Sequence, residues 1–192
     1  MTGAGGAGAL LVESVGVFAT ERLMRIAIIG AGNVGSALGR GWSSAGEDVT
    51  YGVPNPEDPK YAFLPKERLG TPAEAARSAD VIVLATPWPA TEAAVKGLGD
   101  LAGKVIIDCT NPLGMGTDGL QLVLGHTTSG GEQVATWAAG ASVFKTLNQI
   151  GADSMDKAAL FPVRPVMWID QALNRGRGQN FGFAITSRSG AA

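Results

Sequence analysis

The sequence predicts an α/β fold, a doubly wound and mainly parallel sheet with helices on both faces. Short apolar runs alternate with helical stretches along most of the chain, the pattern of successive strand–helix–strand units. Runs such as "VIVLAT", Val81 to Thr86, show no polar alternation, so both faces of those strands are buried, as in parallel sheets. The first run also leads straight into a glycine-rich turn and a helical stretch.

Taken in order, the strands are Arg25–Ile29, Val49–Gly52, Val81–Thr86, Val105–Asp108, Ser142–Lys145 and Val166–Ile169. Helices fit Val34–Ala45 and Pro72–Ser78, the second with Thr71 as its N-cap and Pro72 at its first position. A third fits Ala90–Leu98. Ser129-Gly-Gly-Glu132 has capping-box spacing and opens a fourth towards Ala138. Pro54–Gly70, rich in Pro and charge, reads as a loop around a weak strand or turn. After Ile169 the pattern fails, apart from a short strand at Phe181–Thr186, so the C-terminal end reads as irregular or truncated.

The expected organisation is a dispensable leader at 1–23, a nucleotide-binding domain at 24–169 and an irregular tail at 170–192. The leader is Gly/Ala-rich and has no Lys or Arg before Arg22, so it lacks the positive region of a signal peptide. Met24 is the expected beginning of the domain.

Composition narrows the partners. The 192 residues suffice for one core, and 45% hydrophobic with 17% charged residues suits a globular chain. A net charge of −2 gives no basic footprint, which argues against nucleic acid and anionic membranes. No apolar run approaches a membrane span. The single cysteine, Cys109, suits a reducing cytoplasm and reads as a buried small residue rather than a nucleophile. The only histidine, His126, has no Cys or His cluster around it, so no metal site is expected. No G-x-S-x-G is present, which argues against a nucleophile-elbow hydrolase.

Gly30-Ala31-Gly32-Asn33-Val34-Gly35 is G-x-G-x-x-G. In a chain with 28 glycines the pattern is weak alone, but its place between strand and helix is that of the dinucleotide fingerprint of a Rossmann-type fold. Gly30 then permits the tight turn, Gly32 leaves room for a pyrophosphate, and Gly35 lets helix and strand pack closely. An acidic residue about 20 positions on marks NAD and a nearby Arg marks NADP. Neither stands at the second strand's tip, where Asn55 is placed for a ribose or phosphate oxygen and Lys60 for a 2′-phosphate, unless both are plain loop.

Other strand ends carry further candidates. Thr86, Pro87 and Trp88 follow the third clear strand, the indole serving either as a pocket wall or as surface packing. Thr110, Asn111 and Pro112 follow the next, offering neutral hydrogen bonds to an amide or ring carbonyl. Lys145 and Asn148 supply a cation and an amide on the same side. His126 either donates to a substrate or is structural. No catalytic residue is assigned, and scarce acid–base machinery suits hydride transfer between two redox rings, where positioning suffices. Reducing a ketone or imine calls for a proton donor.

The segments "MRIAIIGAGNVGSALGRGWSSAGEDVTYGV", "ADVIVLATPW", "VIIDCTNPL", "HTTSGGEQVA" and "VFKTLNQIGAD" resemble the NADPH-dependent reductases of the deazaflavin coenzyme F420 and their relatives. That superfamily includes the N-terminal domain of pyrroline-5-carboxylate reductase. The resemblance runs from Met24 to about Ile169, and its most specific pieces are "TPW" and "FKTLNQIG". It implies that Gly30–Gly35 hold the pyrophosphate and that Val53–Asn55 face the adenosine ribose. It implies that Thr86, Pro87, Trp88, Asn111 and Pro112 frame the nicotinamide. His126, Thr127, Thr128, Lys145 and Asn148 would border the second ring. The implied cofactor is NADP, with NAD the alternative, and F420 or a flavin is the implied co-substrate; a homodimer is compatible with it. Two departures stand out: Val53-Pro54 replaces the Arg at the second strand's tip, and a different tail follows "RPVMWI", through a disrupted reading frame or divergence. The alternatives are a dinucleotide-binding module without turnover and a small imine or ketone reductase.

Overall fold

Strand β1 (Arg25–Ile29) turns through Gly30–Gly32 into α1 (Asn33–Ser44), which returns to β2 (Asp48–Gly52). In this computed structural model, residues 23–125, 127–157, 166–172 and 179–184 are described. Two 3-10 turns, Pro59–Tyr61 and Lys66–Arg68, carry the chain to the short β3 (Leu69–Gly70) and α2 (Pro72–Ser78). There follow β4 (Val81–Leu84), α3 (Trp88–Lys96), β5 (Val105–Asp108) and a hairpin of β6 (Leu113–Gly116) and β7 (Gly119–Leu122). The chain continues through α4 (Gly130–Trp137), β8 (Ser142–Lys145), α5 (Ala152–Met155), β9 (Val166–Ala172) and β10 (Gln179–Ala184).

One eight-stranded sheet has the order β10-β9-β8-β5-β4-β1-β2-β3. Its pairs from β8 to β3 are parallel, whereas β9 runs antiparallel to β8 and β10 antiparallel to β9. This is the doubly wound, Rossmann-type arrangement that the sequence predicts. Its order reverses between β1 and β4, and ligands of such sheets gather outside the strand ends at that point.

The continuous apolar runs are explained by two cores. Ala27 and Ile29 of β1 face one, with Ile82, Leu84 and Ile106, covered by Ala75, Val95 and Val134 of α2, α3 and α4. Ile26 and Ile28 face the other, with Val83 and Tyr51, covered by Ala37 and Leu38 of α1. Arg40 of α1 pairs with Asp156 beside α5, 2.9 Å apart.

Most boundaries fall within two residues of expectation. The third clear strand ends at Leu84 rather than Thr86, because Ala85 donates a last bond to Ile29 and the chain then turns. Helix α3 begins at Trp88, not Ala90, because Pro89 is tolerated in a first turn. The strand expected at Val166–Ile169 continues to Ala172, and that expected at Phe181–Thr186 occupies Gln179–Ala184. Residues 1–22 of the expected leader lie outside the described residues.

The hairpin β6–β7 is a feature that the sequence reading does not anticipate. Its register pairs Leu113 with Leu122 and Met115 with Leu120, so four large apolar side chains share one face. All four are exposed, Met115 at 81%. The base of the ribbon is tied by a Val123 N–H to Pro112 carbonyl bond of 2.9 Å.

Candidate functional site

The glycine turn joins the ends of β1 and β4. Gly30 has φ +99°, and a Cβ there would lie 2.6 Å from the Ala85 carbonyl oxygen. A Cβ on Gly35 would overlap the Gly30 carbonyl oxygen, so α1 reaches the turn only without one. The buried Ser36 hydroxyl braces the turn by donating to the Ala31 carbonyl at 2.9 Å.

Gly32 differs from both. Its φ of −75° is open to any residue, and a Cβ there would meet nothing within 4 Å. It is the N-cap of α1, yet no side chain caps this helix and no acidic residue stands in its first turn. The first N–H groups of a helix have no partner within it, and the helix dipole makes that end attractive to anions. The space in front of Gly32 is thus open beside N–H groups that could hold an anion.

At the end of β2 the Val53 side chain is fully buried, and its N–H bonds to the Gly70 carbonyl at 2.9 Å. The expectation that Val53 faces a ribose is corrected accordingly, since it continues the sheet and offers no side chain there. Pro54 and Asn55 are exposed, and Asn55 Oδ1 accepts the Glu57 N–H at 3.2 Å. Lys60 pairs with Asp58 at 3.0 Å, and its ammonium lies 4.9 Å from the Tyr61 ring centre. Hydrogen bonds from the Lys60 N–H and ammonium hold the Asp58 carboxyl below its usual range. The same loop borders a solvent-open pocket of about 300 Å³ lined by Pro56, Glu57, Tyr61, Leu64 and Lys66 among others.

At the end of β4, Thr86 is hydrogen-bonded to the fully buried Thr91 at 2.9 Å, and Thr91 donates to the Pro87 carbonyl. Trp88, half-buried, packs on the first core with its ring centre 5.4 Å from that of Trp137. A Cβ on Gly130 would touch both Trp88 and Pro112 at 3.5 Å, so indole, proline and the start of α4 form one rim.

The ends of β5 and β8 are locked together. Asp108, fully buried, accepts the Thr110 N–H (2.9 Å) and hydroxyl (2.7 Å) on Oδ1. Its Oδ2 makes no hydrogen bond and lies 3.3 Å from Lys145 Nζ. Lys145, expected to face the cleft as a cation, directs its ammonium at the carbonyls of Asp108 and Thr110. Burial lowers its pKa and the Asp108 charge opposes that shift. Burial likewise pushes the Cys109 thiol up to about 12, which makes it inert. Asn148 Nδ2 donates to Asn111 Oδ1 at 3.3 Å, both residues being exposed.

Thr128 is absorbed into the cap of α4, its hydroxyl 3.3 Å from Glu132 Oε2, while Thr127 is exposed. His126 lies outside the described residues. Two residues without an assigned role shape the site. Asp108 carries a legible signal, an acid closing an apolar strand. Leu147 carries none: it is buried with φ +64°, a conformation disfavoured for a leucine. Among the described residues no three His, Cys, Asp or Glu are grouped to hold a metal, and no helix is long and apolar enough to cross a membrane.

Residues 25–112 match the family model described as NADP oxidoreductase, coenzyme F420-dependent. Among solved structures the chain is similar to a protein from Arthrobacter sp. FB24 provisionally described as an F420-dependent NADP reductase. The identity is 32% over 69% of this chain and 66% of that one, with a TM-score of 0.62. A hypothetical protein from Sinorhizobium meliloti matches at 23% identity over 70% of this chain and 66% of that one, TM-score 0.60. A reductive aminase from Aspergillus terreus, in complex with NADPH and ethyl levulinate, matches at 21% identity over 69% and 44%, TM-score 0.51. These last two carry the fold alone. No curated protein matches. The chain spans 66% of the length of each of the first two structures. It thus resembles the F420-dependent NADP oxidoreductase family, as its motifs imply.

Proposed function

We propose that this chain is an NADP-dependent oxidoreductase that moves a hydride between the nicotinamide and a deazaflavin of the F420 type or a flavin-like acceptor. The observation that carries the reading is the open, uncapped start of α1 at Gly32, set where the strand order reverses. The backbone of Gly30, Ala31, Gly32, Asn33, Val34 and Gly35 holds the pyrophosphate, and Asn55 and Lys60 serve the adenosine ribose. Thr86, Pro87, Trp88, Asn111 and Pro112 frame the nicotinamide, with Thr127, Thr128 and Asn148 towards the acceptor. When bound, the nicotinamide supplies or accepts the hydride, and the protein orients the two rings.

Transfer between two such rings is favoured over reduction of an imine or ketone because the latter needs a positioned proton donor. At the described strand ends, Asp108 and Lys145 are engaged with one another, and Cys109 is buried as a thiol.

Fluorescence titration with NADPH and NADH tests the reading. Saturable binding is expected, and Gly32→Val should abolish it while leaving the fold intact. Mixing with reduced or oxidised deazaflavin should then give turnover. Absence of binding to either dinucleotide would refute the proposal; binding without turnover on any flavin-like acceptor would favour a binding module instead. A large preference for NADPH would assign the 2′-phosphate to Asn55 or Lys60.

A further inference from the structure

We infer that Lys145 and Asp108 form a positioning pair that sets the orientation of Asn111 at the nicotinamide end of the cleft, an inference that rests on the dinucleotide reading above. The two residues are register partners at the last positions of β5 and β8. From there the Lys145 ammonium reaches the carbonyls of Asp108 and Thr110, either side of Cys109. Asp108 holds the same turn from within through the Thr110 N–H and hydroxyl. The next residue is Asn111.

A second strap reaches it from β8. Leu147 is buried with a left-handed backbone, and the next residue, Asn148, three places beyond Lys145 as Asn111 is beyond Asp108, meets the Asn111 side chain at 3.3 Å. Asn111 is exposed, whereas Asp108 is fully buried and the Lys145 side chain is 17% exposed. A lysine kept to attract an anionic ligand would present its charge to solvent. A pair kept only to join two strands is replaceable by apolar side chains, because burying charges costs much of what their attraction returns. Apolar side chains, however, hold no carbonyl oxygens in place. Fixing the Asp108–Thr110 turn is what this pair achieves and an apolar pair does not.

The test separates the two ends of the ligand. Affinities are measured for NADPH and for 2′-phospho-ADP-ribose, which lacks the nicotinamide, on wild type, Lys145→Met and Asn111→Ala. Both variants should lose about tenfold for NADPH, the scale of one hydrogen bond to a neutral group, and less than about twofold for the truncated ligand. The double variant Asp108→Asn/Lys145→Met removes both charges and serves if Lys145→Met alone does not fold. Asn148→Ala, at an exposed position, should show the same split at smaller size and keeps the test readable if neither buried variant folds. Equal losses for both ligands, or none, would overturn the inference while the dinucleotide reading stands. A wild type that binds neither ligand would overturn both.

Discussion

Helices α1 and α2 both begin just beyond the carboxyl ends of strands, but their first turns are built differently. In α2 the Thr71 hydroxyl accepts the Glu74 N–H, and the Glu74 carboxylate accepts the Thr71 N–H and hydroxyl. Helix α4 repeats the device with Ser129 and Glu132. Helix α1 has a glycine at the N-cap, no acid in its first turn and open space in front. A helix that carries its own anion is closed to another; the one left without offers its N–H groups to a ligand. Helices α2 and α4 are closed by their own acids, whereas α1 and α3 have neither a side-chain cap nor an acid in the first turn, and both start at the candidate site.

Gly35→Ala breaks the comparison most severely. The added methyl overlaps a backbone oxygen that has no side-chain freedom to retreat, so a loss of about 3 kcal/mol or more is expected in denaturant unfolding. Gly32→Asp sharpens it by giving α1 the kind of cap that α2 has. Stability should rise by a few tenths of a kcal/mol, while NADPH binding is lost because a carboxylate then stands where the pyrophosphate goes. An unchanged affinity would refute that placement. Thr71→Ala should cost about 1 kcal/mol in thermal unfolding and leave dinucleotide affinity alone.

The smallest effect is on pH. Hydrogen bonds to Thr71 hold Glu74 below the usual glutamate range, its hydroxyl foremost, and bonds to Ser129, chiefly its N–H, do so for Glu132. A depressed folded-state value means the caps contribute fully above about pH 4.3, the unfolded value. That contribution is lost as pH falls through the lower folded values. Amide protection factors at the starts of α2 and α4 should fall through that range, whereas the start of α1 should show no such transition.

The scaffold was legible because its signals are local. Thr71-Pro72 and the Ser129–Glu132 spacing mark helix starts where the structure has them. Two glycines of the turn were legible in role, since the tight turn at Gly30 and the close packing at Gly35 each demand the absence of a side chain. Directions of side chains were not. Val53 and Lys145 stand at strand ends, as expected, but one turns into the core and the other onto backbone carbonyls. Those choices depend on strands far apart in sequence. Leu147 adopts a backbone that its own side chain disfavours, so only its packing explains it. The β6–β7 ribbon is a different case, since Asp118-Gly119 between alternating apolar residues is a hairpin signal in the sequence itself.

That ribbon also has a consequence for the order in which the chain acquires structure. Its two strands meet across a tight turn, a closure that takes microseconds. The central pair of β1 and β4 is separated in sequence by α1, β2 and α2, and such non-local pairing is slow. One of the local strand pairings that can form early is therefore one that leaves its large apolar side chains exposed. During synthesis or refolding at high protein concentration, Leu113, Met115, Leu120 and Leu122 meet neighbouring chains before a finished sheet exists to compete for them.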